Sequence, residues 1–144
     1  MVEAGVSQNI SWVLQKGSWF IHIIFTVIIK LTFTIFLSEN TGWQVTAIMY
    51  NLLTFFFFHW RVGDPFSAEY RNCTFWEQLN EQEVDTTHVR FLALYPAILF
   101  FIVNKIVDWN LYLFFICSVT LFMVIIPKLR FMHLRRIFGY RSHN

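Results

Sequence analysis

The sequence predicts an all-α fold: a small polytopic membrane protein with four transmembrane helices, arranged as two hairpins joined by a cytosolic loop. Hydrophobic residues make up 56% of the 144 residues and charged residues only 14%, whereas a soluble domain has roughly 25% charged residues. A soluble fold of this size could not bury so much apolar surface. The apolar residues form four long runs, two on each side of the polar residues 61–90. We treat residues 1–144 as one domain.

The first hairpin follows a polar segment, residues 1–18, which lacks the pattern of a secretory signal and is expected to remain as a cytosolic arm. The first predicted span, residues 19–37, has nineteen residues, enough to cover about 28 Å as a helix. Residues 38–42 have the composition of a turn. The second span, residues 43–60, has tryptophans at both ends, where an aromatic belt would lie. Its Gln44 and Asn51 are predicted to form hydrogen bonds between helices.

The second hairpin consists of predicted spans at residues 91–107 and 109–126, followed by a cytosolic tail, residues 127–144. Pro96 is expected to kink the third helix near its start. In the central loop, Asp64-Pro65-Phe66 is typical of a turn that lets the second helix leave the bilayer. Trp76-Glu77-Gln78 suits a short helix on the membrane surface, with its indole in the headgroup layer.

Basic residues predict the orientation of the chain. Nine of the eleven lysines and arginines lie in the arm, the central loop and the tail, whereas the two short reversals, at residues 38–42 and around residues 104–110, contain only Lys105. The positive-inside rule therefore places both termini and the loop in the cytosol. Asn72-Cys73-Thr74 matches the N-glycosylation pattern. On the cytosolic side it should carry no glycan.

Catalytic, metal-binding and nucleic-acid-binding patterns are missing from the sequence. No nucleophile has a partner histidine in a recognisable motif, no carboxylate pair borders a span, and His22, His59, His88 and His133 have no metal-ligand spacing. Cys73 and Cys117 do not form a disulfide framework. We therefore expect no enzyme activity, metal, cofactor or nucleic acid. Lys30, inside the first span, is either a functional charge or a lysine that snorkels to the lumenal interface.

The tail alternates basic and bulky apolar residues directly after a membrane exit. Such a segment binds anionic headgroups with about 1 kcal/mol per basic residue. Membrane lipids are one predicted partner of the tail, and a protein surface is the alternative.

Several separate blocks, in order and at matching spacing, resemble the Orm/ORMDL family between about residues 17 and 140. The blocks are Asn51-Leu52, His59-Trp60, Gly63, Pro65-Phe66, Trp76-Glu77-Gln78, Arg90-Phe91-Leu92, Pro96, Pro127-Lys128-Leu129, His133 and Arg136-Ile137-Phe138-Gly139.

The resemblance implies a non-catalytic regulatory subunit of serine palmitoyltransferase in the endoplasmic reticulum membrane. This enzyme starts sphingolipid synthesis on a pyridoxal-phosphate-bearing subunit, and members of the family inhibit it when ceramide is plentiful. The implied partners are the catalytic subunits, ceramide and membrane lipids. The residues that the resemblance assigns to partner contact are His59, Pro65, Phe66, Trp76, Pro127, Lys128, His133, Arg136 and Phe138.

Asn9 matches the family asparagine that helps to hold ceramide, eight residues before the Gly17-x-Trp19 start of the first span. Its surroundings depart from the animal pattern, which has Asn-Pro-Asn and a basic residue two places on. The chain also lacks the long serine-bearing extension of fungal members, so phosphorylation there is not expected. An amide both donates and accepts hydrogen bonds, so Asn9 can pair with a ceramide headgroup. Ceramide would then order the arm, and an ordered arm can block a substrate channel.

Two other classes of protein are alternatives to a regulator. A membrane-shaping or scaffolding hairpin protein of the endoplasmic reticulum would wedge one leaflet with short paired spans, but each run here is long enough to cross the bilayer. A small lipid enzyme would need a nucleophile, an acid-base pair or a metal set near the interface, and the sequence contains none of these patterns.

Overall fold

The computed structural model describes residues 8–61, 63, 71–108 and 110–132, and regular secondary structure in these ranges is helical. The α-helices are α1 (Gln8–Leu14), α2 (Phe20–Thr34), α3 (Glu39–Phe55), α4 (Phe75–Glu81), α5 (Thr87–Ile106) and α6 (Leu111–Ile125). A π-helical turn, Phe56–Trp60, extends α3, and the 3-10 turns Ile126–Lys128 and Arg130–Met132 follow α6. The all-α prediction is confirmed for this part of the chain.

Within the described ranges, two helical segments are long and apolar enough to cross a membrane: Thr87–Ile106, and α6 with its following turn, Leu111–Lys128. They correspond to the third and fourth predicted spans. The helix α2 is apolar but has only 15 residues, and α3 contains several polar residues in its first half. The structure therefore supports two membrane-type helices, and the four-span topology stays a prediction.

The turn of the first hairpin lies earlier than the sequence predicted. Ser38 has extended backbone angles at the N-cap, and Glu39 to Gly42 form the first turn of α3, closed by a 2.7 Å hydrogen bond from Gly42 N to Ser38 O. The prediction of a turn over residues 38–42 is therefore wrong. Glu39 favours the helical start because a carboxylate stabilises the positive end of the helix dipole.

The helix α3 is the centre of the bundle and contacts α2, α5 and α6. The predicted interhelical hydrogen bond of Asn51 is confirmed, since its Nδ2 donates to Thr120 Oγ1 on α6 at 3.2 Å. The Nε2 of Gln44 instead reaches the carbonyl of Asp108, in the turn between α5 and α6, at 3.4 Å. Both polar side chains are buried in the bundle.

The surface of the bundle is strongly apolar. Ile35, Phe101 and Leu111 are 76%, 67% and 77% exposed, and many other large hydrophobic side chains point outwards with them. In contrast, Thr26, Gln44, Thr46, Asn51 and Thr120 are buried. Exposed apolar patches of this extent mark contact with a membrane or a partner, and buried polar contacts between helices are typical of helices packed in lipid.

Lys30 is a charged residue buried between α2 and α3. Its Nζ donates to Thr34 Oγ1 at 2.9 Å and forms an ion pair with Glu39 at 3.2 Å. It also lies 5.1 Å from the centre of the Trp43 ring. The side chain thus extends toward the turn of the hairpin, as snorkelling predicts, and ties α2 to the start of α3.

Candidate functional site

The N-terminal helix α1 is docked on the rest of the protein. Ile10 and Val13 lie three positions apart, so they share one helix face, and both are fully buried. They join a hydrophobic cluster with Phe58, Trp76, Leu79, Val89 and Leu92. Burial of two aliphatic side chains contributes about 3–6 kcal/mol before the entropy of ordering is subtracted. We call the surface formed by α4 and the first turns of α5, which α1 contacts, the arm-docking surface.

The short helix α4 is stabilised by its first turn. Thr74 and Glu77 form a reciprocal capping box: Thr74 N donates to Glu77 Oε2 at 2.7 Å, and Glu77 N donates to Thr74 Oγ1 at 3.3 Å. Such a cap contributes about 1 kcal/mol. A seven-residue helix is marginal alone, and the cap together with burial of Trp76 to Leu79 explains why it forms.

The helix at Trp76-Glu77-Gln78 is confirmed, but the predicted position of its indole is wrong. Trp76 is only 5% exposed. Its ring lies 5.9 Å from the His59 ring and is stacked at 6.3 Å from Phe58. The π-helical turn at the end of α3 presents these two rings, and they enclose the indole within the protein instead of leaving it among headgroups.

Two amide side chains connect α1 to the arm-docking surface. Asn9 is half-buried, and its Nδ2 donates to Gln78 Oε1 at 3.3 Å. The Nε2 of Gln78 donates in turn to the carbonyl of Cys73 at 3.3 Å. Gln78 is fully buried. The predicted ceramide ligand Asn9 therefore belongs to a hydrogen-bonded pair at the edge of the docked arm.

Lys128 joins the end of α6 to the same surface. Its Nζ donates to the carbonyl of Leu92 at 3.0 Å and lies 5.2 Å from the centre of the Trp76 ring. In an α-helix the carbonyl of Leu92 would accept from residue 96, but that residue is Pro96, which has no N–H. Lys128 thus supplies the donor that proline removes, and α5 continues through Pro96 as one helix.

The structure brings together three of the predicted partner-contact residues: His59, Trp76 and Lys128. Pro127 lies in the 3-10 turn directly before Lys128. Pro65, Phe66, His133, Arg136 and Phe138 lie outside the described residues. Within the described ranges, His59 Nε2 and Trp76 Nε1 are buried without a hydrogen-bond partner, and no three potential ligands are grouped to hold a metal ion. Together, His59, Trp76 and Lys128 offer hydrogen-bonding groups, one positive charge and aromatic faces.

Sequence reasoning missed two groups at this site. Gln78 belongs to the Trp76-Glu77-Gln78 block, but the sequence alone gives it no role, because its partner Asn9 lies in a distant part of the chain. The carbonyl of Leu92 has a clearer signal, since every internal helix proline leaves the carbonyl four residues earlier without its backbone donor.

The fold and the site define the class of protein: a small all-helical protein with membrane-type helices and an N-terminal helix docked on a short polar-loop helix. The chain belongs to the ORMDL family, whose family model matches residues 7–136. This confirms the resemblance seen in the sequence blocks.

Individual relatives agree with this assignment. The chain is 36% identical to an uncharacterized protein of Schizosaccharomyces pombe, over 96% of this chain and 77% of the relative. It is 34% identical to Protein ORM2 of Saccharomyces cerevisiae, over 91% of this chain and 63% of that protein. ORM1-like protein 2 of Homo sapiens is 27% identical, over 96% of this chain and 94% of the human protein.

Proposed function

We propose that this protein is a non-catalytic regulatory subunit of serine palmitoyltransferase that inhibits the enzyme when ceramide is plentiful. Membership of the ORMDL family, matched over residues 7–136, supports this role. The observation that carries the ceramide-sensing part is the docked α1, which holds the half-buried Asn9 beside Gln78. A polar amide at the edge of an otherwise apolar contact is suited to the headgroup of a lipid whose tails remain in the bilayer.

The proposed setting is the endoplasmic reticulum membrane, crossed four times with both termini in the cytosol. The apolar residues that flank the short α2, Trp19 on one side and Ile35 to Leu37 on the other, extend it to the length of a span. The π-helical turn to Trp60 extends α3 in the same way. In this proposed topology α1, α4 and the basic tail lie on the cytosolic side of the membrane, where they can contact the enzyme.

Inhibition follows from what ceramide adds to the docked arm. The buried Ile10 and Val13 already hold α1 against the arm-docking surface. A ceramide headgroup bound to Asn9 adds hydrogen bonds that only the docked arrangement offers, so it shifts the population toward that arrangement. A docked arm next to the acyl-CoA channel of the enzyme then blocks substrate entry.

The decisive experiment measures serine palmitoyltransferase activity in membranes with and without this protein, titrated with ceramide. We expect inhibition that deepens with ceramide, and we expect Asn9→Ala to abolish the ceramide response while the complex still assembles. Gln8→Ala is the matched control, since it removes an amide from the exposed neighbouring position. Retained ceramide inhibition in Asn9→Ala would refute the role of this residue.

Copurification separates this function from a membrane-shaping one. The tagged protein, extracted in detergent, should bring down an enzyme with the absorbance of bound pyridoxal phosphate. Recovery of a free oligomer of this chain instead would contradict the proposal and support the membrane-shaping alternative.

A further inference from the structure

The hydrogen bonds around Gln78 determine which way the Asn9 side chain faces. A backbone carbonyl only accepts hydrogen bonds, so the atom of Gln78 that approaches the Cys73 carbonyl at 3.3 Å has to be its Nε2. The other terminal atom of the same carboxamide, Oε1, is therefore the one that faces Asn9. The chemistry of the three groups makes this assignment, although the nitrogen and oxygen of an amide have nearly the same shape.

The orientation of the Asn9 amide follows from that of Gln78. The Oε1 of Gln78 only accepts, so Asn9 has to present its Nδ2, as it does at 3.3 Å. The Asn9 Oδ1 diverges from the same carbon and faces away from Gln78. Asn9 has no other side-chain hydrogen bond within the described residues, and it is half-buried. The arm therefore offers an acceptor oxygen, held in one direction by a fully buried partner.

We propose that Gln78 is a positioning residue that aims the Asn9 Oδ1 outward, so that the arm selects lipids carrying an amide N–H donor beside their acyl chains. The inference rests on the proposed function, in which Asn9 contacts ceramide. Ceramide presents an amide N–H as well as hydroxyls. Diacylglycerol has ester oxygens where ceramide has its N–H, so two acceptors would meet and the contact would be unfavourable.

The test uses the complete complex with the enzyme and three probes: ceramide, its N-methylated analogue without the N–H, and diacylglycerol. With the natural chain, ceramide should inhibit at about tenfold lower concentration than the N-methylated analogue, because the analogue loses one hydrogen bond to the half-buried Asn9. In Gln78→Met, the half-inhibitory concentration of ceramide should rise about tenfold. Ceramide and its N-methylated analogue should then inhibit at the same concentration.

Two further variants separate positioning from a purely structural effect. Gln82→Met is the matched control, because Gln82 ends the same helix and its Nε2 has no partner within the described residues; it should behave like the natural chain. Gln78→Glu keeps an acceptor for the Asn9 Nδ2 and should preserve the preference for the N–H, even where Gln78→Met fails to assemble. Loss of that preference in Gln78→Glu would overturn the proposal.

The outcomes also distinguish this inference from the function on which it rests. If the natural chain gives no ceramide response, the proposed function is wrong. If the natural chain responds, Asn9→Ala does not, and an assembled Gln78→Met keeps full discrimination, only the positioning role of Gln78 is wrong.

Discussion

The bond from Lys128 to the Leu92 carbonyl gives a sharp prediction about how this fold is stabilised. Replacement by methionine, Lys128→Met, keeps most of the apolar stem but removes the ammonium. A hydrogen bond from a charged donor contributes about 1.5–3 kcal/mol, and the contact with Trp76 contributes about 0.5–2 kcal/mol. We therefore expect Lys128→Met to lower the free energy of unfolding by about 3 kcal/mol.

Pro96 leaves the Leu92 carbonyl without a backbone donor, so replacing Pro96 tests whether Lys128 stabilises the protein by supplying that donor. In Pro96→Ala, the new N–H of residue 96 can donate to the Leu92 carbonyl within the helix. Lys128→Met should then lose only the aromatic contact, about 1 kcal/mol. The two positions should therefore be coupled by about 2 kcal/mol in a double-mutant cycle.

The assay is thermal unfolding in detergent micelles, followed by tryptophan fluorescence. It compares the natural chain, Lys128→Met, Pro96→Ala and the double variant. For a chain of this size, 3 kcal/mol corresponds to a fall in Tm of about 6–12 °C. Lys105→Met, at an exposed position in the last turn of α5, is the control and should leave the Tm nearly unchanged. An equal cost of Lys128→Met with and without Pro96 would refute the reasoning.

The other predictions concern the first hairpin and the topology. A Cβ on Gly42 would lie 3.7 Å from the Lys30 Nζ, an ordinary contact, so Gly42→Ala should stabilise the protein by about 0.5–1 kcal/mol through helix propensity. Gly42→Leu should displace the ammonium from Glu39 and lower the Tm in the same micelle assay; a leucine variant as stable as the alanine one would contradict this packing. Asn72 should carry no glycan when the protein is expressed in eukaryotic membranes, because the proposed topology places the loop in the cytosol. An endoglycosidase-sensitive shift in mobility that Asn72→Gln removes would disprove the topology.

Much of the helical layout could be predicted from hydropathy alone. The long apolar runs that became α5 and α6 contain no acidic residue, and their ends lie within a few residues of the predicted bounds. The start of α3 could not be placed in this way. Glu39, Asn40, Thr41 and Gly42 have turn composition, and hydropathy does not show that Ser38 takes the N-cap position or that Glu39 pairs with Lys30 of α2.

The site was less predictable because it depends on contacts between distant parts of the chain. Asn9 could be found by resemblance, but its partner Gln78 lies 69 residues away. The helix α1 has only seven residues, too few for a clear periodic pattern, and its helical state depends on burial against α4 and α5. Lys128 could be assigned to a partner from its basic tail, yet its donor group reaches a carbonyl 36 residues earlier in the same chain.

The junction between α1 and α2 has a consequence for how the arm moves. Gly17 has a φ of +85°, which other residues adopt only with strain, and the Ser18 Oγ donates to the Val13 carbonyl at 2.7 Å. The arm is therefore attached to α2 through a tight bend and not through a long extended linker. When α1 is docked, the short connection through Gly17 and Ser18 therefore restricts the position of Asn9 relative to the start of α2.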